Sequence, residues 1–304
     1  MTAPPNVLVL GVGGILGEAW MSAALAGLEE VSGFDPRGCE GYVGTSAGSI
    51  VAAALASGVD PRSRLGDLPE QPAVTEAEAL NDGGLADRAL EMGLDAARTV
   101  VAPLAAVGLR ATELPGALVR RAALGRSPRG RRSLAGLAAE VERMGARWDG
   151  RLSISAVEVE RGRRVMFGAN GAPTATVADA VCASCAIPGV FRPLVLDGRS
   201  YVDGGVWSPT NMDRAPAGRG TSVLCLNPTG SLRPGRGVPF GALGLVSRSL
   251  AEVEALALRR RGAHVTVVAP DAASVEAMGA NLMDARPRDR VIAAGLAQGR
   301  ALLR

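Results

Sequence analysis

The chain has 304 residues, and its 33 basic and 30 acidic residues leave a net charge of +3, too little to indicate a nucleic-acid partner. A chain of this length buries roughly 75% of its unfolded surface and needs no disulfide or metal staples. Because no basic leader precedes the first apolar run, we expect a cytoplasmic protein whose cysteines are free thiols.

The first part of the chain alternates predicted strands and helices. Residues 6–10 form an apolar run bounded by proline and glycine, which is typical of a buried parallel strand. A helix is predicted over residues 16–31, a strand at 42–43 and a second helix over the apolar segment 50–56. This order is typical of an α/β fold. We therefore expect a three-layer α/β/α sandwich with a mostly parallel central sheet, its site at the carboxyl ends of the strands.

The middle of the chain, from about residue 61 to 150, has a different character. Its segments rich in arginine, alanine and leucine have helical spacing, are interrupted by prolines and include no convincing strand. We interpret this part as a helical, lid-like insertion in a single domain that spans residues 1–304. Its arginine-rich stretch, 120–132, favours a solvated loop between helices, with an anionic lipid surface as the alternative.

Strand character returns after the insertion. Residues 152–159 predict a strand that continues through a turn into a hairpin partner near 165–167. Residues 196–205 are interpreted as a turn-rich stretch, and buried strands are predicted at 223–226 and 265–268. The remaining helices are predicted over residues 177–185, about 241–261 and about 289–302.

One short motif indicates a specific chemistry. Residues Gly44-Thr45-Ser46-Ala47-Gly48 follow the pattern Gly-x-Ser-x-Gly between a predicted strand and a predicted helix. This is the layout of a nucleophile elbow, a sharp turn that presents a serine hydroxyl at its apex. The turn crowds the backbone, so Gly44 and Gly48 must lack side chains. Ser46 would then lie at a helix N-terminus, where unpaired N–H groups favour a developing negative charge.

A serine hydroxyl needs a base to become a good nucleophile, and the chain contains one histidine, His264. His264 begins an apolar strand pattern, where a histidine is more often structural than catalytic. If His264 is not the base, a Ser-His-Asp triad is excluded and a carboxylate is the natural candidate. Cys182 and Cys185 have the spacing of a redox or metal pair, but no second pair or nearby histidine supports such a site.

Four short stretches follow one another along the chain. They are residues 11–17 (GVGGILG), the elbow at 44–48, residues 183–191 (ASCAIPGVF) and the triplet Asp203-Gly204-Gly205. Together they resemble the patatin-like phospholipase family, which has a glycine-rich oxyanion loop, a nucleophile elbow, an Ala-Ser-x-Ala-x-Pro-x-x-Phe stretch and an Asp-Gly-Gly triplet in this order. The resemblance covers residues 6–206, and the C-terminal third is similar only in general texture.

The resemblance implies that a serine–aspartate dyad replaces the triad. Ser46 is then the nucleophile and Asp203 is the general base and acid. Gly204 and Gly205 would let the backbone turn tightly behind the carboxylate. Because aspartate ordinarily ionises near pH 3.9, we expect activity to persist below the ordinary histidine pKa of about 6.5.

The oxyanion hole is expected at the glycine-rich loop. Backbone N–H groups of Val12, Gly13 and Gly14, helped by that of Ala47, would stabilise the negative charge of the transition state. The family's loop usually reads Gly-Gly-Gly-x-Arg-Gly, whereas Val12 replaces its first glycine here and Leu16 its arginine. Backbone donors survive a side-chain change, so the hole is still expected.

The resemblance implies a serine acyl hydrolase (a carboxylic ester hydrolase such as a lipase, phospholipase or esterase) that cleaves lipid esters through an acyl-enzyme, without a cofactor or metal ion. The expected partners are a lipid or other acyl-ester substrate and a peripheral membrane surface, with no nucleic acid. Three alternatives stay open, namely an acyltransferase with the same dyad, a triad hydrolase that uses His264, and a catalytically silent lipid-binding protein. The glycine loop also resembles a dinucleotide-binding turn, but no second strand ends in an acidic residue at the required distance.

Overall fold

The computed structural model describes residues 4–66, 113–128, 130–232 and 240–302. Within these ranges eight strands form one mixed sheet. The strands are β1 (Val7–Leu10), β2 (Gly41–Gly44), β3 (Leu152–Glu158), β4 (Arg163–Phe167), β5 (Leu194–Leu196), β6 (Arg199–Asp203), β7 (Ser222–Leu226) and β8 (His264–Val268). The α-helices are α1 (Gly14–Ser32), α2 (Ala47–Ala56), α3 (Ser63–Gly66), α4 (Glu113–Arg126), α5 (Ala135–Arg143), α6 (Val177–Cys185), α7 (Phe240–Arg260), α8 (Ala272–Met278) and α9 (Arg288–Ala301).

The centre of the sheet is parallel. Strands β3, β2, β1, β7 and β8 lie side by side in that order, all in the same direction. Leu10 at the end of β1 pairs with Gly44 on one side and with Leu226 on the other, so the carboxyl ends of these strands are level. Segments that leave the sheet at this edge therefore meet one another, as expected for a site in an open α/β sheet.

Helices cover both faces of the sheet. Because side chains alternate along a strand, Leu8 and Leu10 of β1 pack in one core cluster with α1 and α2, while Val7 and Val9 pack in a second cluster with α7. All four side chains are buried. The fold class predicted from the sequence, a three-layer α/β/α sandwich with a mostly parallel sheet, is confirmed.

The sheet forks at β3. Ile154 pairs with Gly44 of β2 on one edge and with Phe167 of β4 on the other. Ala156, two positions further along, also pairs with β4, but its other partner is Asp203 of β6. β6 thus enters antiparallel on the edge of β3 that β2 has left. The chain leaves β2 to form the elbow, and Asp203 arrives in the space beside it.

Two expectations from the sequence are corrected. The stretch at 196–205 is not only turn, because it contributes β6 and the end of β5, joined through Asp197 and Gly198 with positive φ values of 47° and 74°. Arg120 does not lie on a solvated loop but on α4, and its side chain is buried. Its Nε donates to the Gly162 carbonyl at 2.9 Å, and its guanidinium lies 3.8 Å from the ring centroid of Trp207.

Of the proposed insertion at 61–150, residues 67–112 and 129 lie outside the described residues. The remainder contains α3, α4 and α5, so its lid-like role and the division into domains stay predictions. Among the described helices, none has both the length and the hydropathy required to span a bilayer.

Candidate active site

The turn between β2 and α2 holds Ser46 in an unusual backbone conformation. Ser46 has φ 52° and ψ −124° and immediately precedes the first residue of α2. A non-glycine residue adopts this conformation only where the surrounding structure enforces it. The serine therefore lies at the apex of a strained strand-to-helix turn, at a helix N-terminus, which is the geometry of a nucleophile elbow.

The glycines on either side of the serine permit close backbone approach. A Cβ atom on Gly48 would lie 2.0 Å from the carbonyl oxygen of Leu10, at the end of β1. A Cβ atom on Gly44 would lie 2.5 Å from the Cα atom of Ser49. Any side chain at either position would push α2 away from the end of the sheet, so both positions require glycine.

The end of α6 contacts both halves of the candidate dyad. The Ser184 hydroxyl accepts the backbone N–H of Ser46 at 2.8 Å, and the Ala186 carbonyl accepts the backbone N–H of Asp203 at 3.0 Å. This gives a physical reason for the Ala-Ser-x-Ala stretch of the sequence. The sequence did not predict that Ser184 would hold the backbone of Ser46. Its position in the Ala-Ser-x-Ala stretch was the only indication of a role.

Asp203 ends β6, and its carboxylate is buried beside the elbow. Its Oδ1 accepts the Gly205 N–H at 2.7 Å, and the Ser46 hydroxyl is near enough to the carboxylate to lower its pKa. A Cβ atom on Gly204 would lie 2.2 Å from the Ser155 hydroxyl, so this turn has no room for a side chain. The structure brings Ser46 and Asp203 together although they are far apart in sequence.

Burial changes the acid–base chemistry of this carboxylate. It raises the pKa of Asp203 from its ordinary 3.8 to about 7, and the hydrogen bonds from Gly205 and Ser46 limit the rise. A carboxylate with a pKa near neutral accepts a proton much more readily than ordinary aspartate. This pKa predicts, in contrast to the expectation from the sequence, that activity falls below about pH 7 as Asp203 is protonated.

The glycine-rich loop runs from the end of β1 into α1. The N–H groups of Gly13, Gly14 and Ala47 have no acceptor within the described parts of the chain. The Val12 N–H, in contrast, donates to the Pro209 carbonyl at 2.9 Å. The expectation that Val12 supplies an oxyanion donor is thus corrected, since its N–H is already engaged in holding the loop.

Leu16, at the arginine position of the family's loop, is buried in the core. Its backbone N–H donates to the Leu282 carbonyl at 3.0 Å, and the Gly11 N–H donates to the Leu226 carbonyl at 3.0 Å. Main-chain hydrogen bonds therefore anchor the loop at both of its ends.

His264 is far from the elbow. It is the first residue of β8, and Val268 at the other end of that strand is level with Leu226, which is level with Leu10 and Gly44 across the sheet. Four positions along a strand correspond to roughly 13 Å, and His264 is also three strands away from β2. This placement excludes His264 as the base for Ser46 in this structure.

The cysteines form no site of their own. All four, including Cys182 and Cys185, are free and buried. Within the described residues there is no group of three or more histidine, cysteine, aspartate or glutamate side chains arranged to hold a metal ion.

The sequence profile of the patatin-like phospholipase family matches residues 8–216. The chain belongs to this family. Membership implies lipid acyl hydrolase activity, and the resemblance seen in the four sequence stretches is confirmed.

Solved structures of similar proteins are distant in sequence. The chain is similar to VipD from Legionella pneumophila, with 14% identity over 99% of this chain and 67% of that one and a TM-score of 0.43. It is also similar to the type III effector protein ExoU, with 16% identity over 98% of this chain and a TM-score of 0.40. The chain spans about half the length of the ExoU chain, of which it covers 53%. No curated protein matches the sequence.

Proposed function

We propose that the protein is a serine acyl hydrolase that cleaves lipid ester bonds through a Ser46–Asp203 dyad. The observation that supports this most directly is the interaction of the Ser46 hydroxyl, at the apex of a strained elbow, with a buried carboxylate whose pKa is raised to about 7. Family membership supports the substrate class, a lipid ester.

In the first half of the reaction, the Ser46 Oγ attacks the ester carbonyl carbon as its proton passes to the Asp203 carboxylate. The carbonyl oxygen becomes an oxyanion, which the free N–H groups of Gly13, Gly14 and Ala47 bind. Removing one such donor typically lowers the rate about 10²–10³-fold. When the tetrahedral intermediate collapses, the ester C–O bond breaks and Asp203 returns its proton to the leaving alcohol.

In the second half, water attacks the acyl-serine. Asp203, ionised again, accepts a proton from the water and a second oxyanion forms in the same hole. Collapse breaks the bond between the acyl carbon and the Ser46 Oγ, which takes the proton back from Asp203. The products are a fatty acid and the free enzyme.

The test is a panel of nitrophenyl esters and phospholipids with wild type, Ser46→Ala and Asp203→Ala. We expect both variants to lose at least about 10³-fold in kcat with every substrate that wild type hydrolyses. A fluorophosphonate probe should label wild type at Ser46. Full activity in Ser46→Ala would refute the proposal, and labelling without ester turnover would favour a silent lipid-binding protein. Ester products formed with an added alcohol would favour an acyltransferase.

A further inference from the structure

A buried asparagine outside the four motifs connects the two turns that carry the dyad. Asn211 follows β6 and the Asp-Gly-Gly triplet in the chain, and it is fully buried. Its side-chain Nδ2 lies 3.1 Å from the hydroxyl of Thr45, the residue before Ser46, and 3.4 Å from the carbonyl of Gly204, the residue after Asp203. One amide group thus contacts the chain on both sides of the site.

Two further acceptors surround the same amide nitrogen. The Ser155 hydroxyl of β3 lies 3.1 Å from it and the Ser208 carbonyl 2.7 Å. The Ser155 hydroxyl also donates to Thr45 Oγ1 at 2.9 Å. Because an amide has two hydrogens for four acceptors, they are shared, and movement of any one of these groups affects the others.

The orientation of the Asn211 side chain is determined by its partners. Its Oδ1 accepts from an Arg164 guanidinium nitrogen at 3.0 Å. Arginine offers only donors and a backbone carbonyl only accepts. If the amide oxygen and nitrogen of Asn211 were exchanged, the nitrogen would face the donor of Arg164 and the oxygen would face the carbonyls of Gly204 and Ser208. Arg164 is held in turn by two hydrogen bonds to the Asp213 carboxylate, at 2.6 and 2.7 Å.

The backbone at Asn211 is also fixed. Asn211 has φ 50° and ψ 29°, a left-handed conformation that asparagine tolerates better than most residues. The residues on either side of it bind one carboxylate of α7: Glu254 Oε2 accepts the Thr210 hydroxyl at 2.5 Å and the Met212 N–H at 2.8 Å. Glu254 therefore holds the backbone while the side chain reaches toward the elbow.

We propose that Asn211 is a positioning residue, whose amide ties the elbow at Thr45 to the turn at Gly204 and so sets the contact between Ser46 and Asp203. This inference rests on the proposed function, because it concerns the geometry of that dyad. Within the described residues, the Asn211 side chain has no hydrogen bond to the Ser46 hydroxyl or to the Asp203 carboxylate. Its effect is on the distance and direction between nucleophile and base, where a misplacement of about 1 Å can lower the rate roughly 10²-fold.

The test compares two substitutions at this position with a matched control. Asn211→Gly removes the amide and keeps the positive φ, and Asn211→Asp keeps the shape but replaces the donor by an acceptor. The control is Gln298→Ala: Gln298 is a buried amide that also has four polar partners, including Trp20 and Ser274, but it contacts neither turn of the dyad. Kinetics are measured on a soluble nitrophenyl ester and normalised to the folded fraction.

We expect both Asn211 variants to lower kcat roughly 10²-fold while KM changes by less than about 3-fold. We also expect the acid limb of their pH–rate profiles to move to higher pH, because weakening the hydrogen bond from Ser46 removes an interaction that favours ionised Asp203. Gln298→Ala should lose stability but keep the wild-type kcat and acid limb. Wild-type kcat in Asn211→Gly, or an equal loss of kcat in Gln298→Ala, would overturn the inference.

If neither Asn211 variant folds, Thr45→Val gives the decision, since it removes the hydroxyl that receives the amide and keeps the side-chain shape. We expect the same fall in kcat, and an unchanged kcat would overturn the inference. Ser46→Ala on the same substrate separates the two hypotheses. Activity in Ser46→Ala means that the proposed function fails, whereas its loss together with active Asn211 variants means that only this inference fails.

Discussion

Asp203→Asn should make the protein inactive and, at pH 8, more stable. The unfolded carboxyl releases its proton near pH 3.8, whereas the folded one releases it only near 7. Between these values the folded state binds more protons than the unfolded state, so the free energy of unfolding falls as pH rises. Asparagine has nearly the same shape, carries no charge and can still accept the Gly205 N–H.

The size of the effect follows from the two pKa values. Raising the pKa from 3.8 to about 7 destabilises the folded state by about 4 kcal/mol once Asp203 is ionised. At pH 4 the same calculation leaves less than about 1 kcal/mol, because the folded carboxyl is protonated and pH 4 lies close to the pKa of the unfolded one. For a chain of 304 residues, about 4 kcal/mol corresponds to a rise in Tm of roughly 6 °C.

The assay is thermal unfolding of wild type and Asp203→Asn at several pH values between 4 and 8. Asp213→Asn is a control of opposite sign: burial of Asp213 is outweighed by its pairing with Arg164, which lowers the pKa of that carboxyl. Asp213→Asn should therefore lower the Tm at pH 8. An Asp203→Asn variant with an unchanged or lower Tm at pH 8, or a difference that does not vary with pH, would refute the reasoning.

Three further predictions follow from the site. Ser184→Ala leaves the buried N–H of Ser46 without its acceptor, so we expect a loss of about 1–3 kcal/mol in a urea unfolding curve and slower fluorophosphonate labelling. In wild type, kcat/KM should fall below about pH 7 as Asp203 is protonated, and His264→Ala should leave this limb of the pH profile unchanged. Gly48→Ala should yield little folded protein, because its Cβ would lie 2.0 Å from a carbonyl oxygen of β1.

Each of these predictions has a contradicting result. A Ser184→Ala variant with wild-type stability and labelling would show that the hydroxyl does not hold the elbow. An acid limb that disappears in His264→Ala would identify the histidine as the titrating group. Gly38→Ala is the control for Gly48→Ala, since a Cβ at Gly38 has no atom within 4 Å, and equal behaviour of the two would contradict the steric reasoning.

The fold class could be predicted because it depends on local patterns. The apolar runs that became β1 and β7 are buried on both faces, and such runs are typical of the centre of any α/β sheet. The run at 265–268 was also predicted to be a buried strand, but β8 lies at the edge of the sheet and only Val268 is buried. The hairpin of β5 and β6 was missed for a physical reason. β6 has polar residues and pairs with β3 only where β2 has departed, which depends on the fork of the sheet and not on its own sequence.

The candidate site could be predicted at positions where the backbone geometry permits only one residue type, because that residue then identifies the turn in the sequence. The glycines at 44 and 48 are required by contacts under 3 Å, and such requirements restrict the residue type to one. The roles of Asn211 and Ser184 were harder to predict, because hydrogen bonds between segments far apart in the chain follow no fixed sequence spacing. The hydrogen bond of the Val12 N–H could not be predicted from the sequence either, since the Pro209 carbonyl that accepts it lies in another loop.

The fork of the sheet also gives a physical basis for the proposed use of a single carboxylate as the base. β6 enters the space that β2 leaves, so Asp203 is placed beside the elbow and is removed from water by the same event. Removal from water raises its pKa toward neutral, and within the described residues no charged side chain is among the groups that shift it. A nearby arginine would lower the pKa again and weaken the base. In the proposed dyad, the uncharged surroundings of Asp203 would therefore supply the proton affinity that an imidazole provides in a triad.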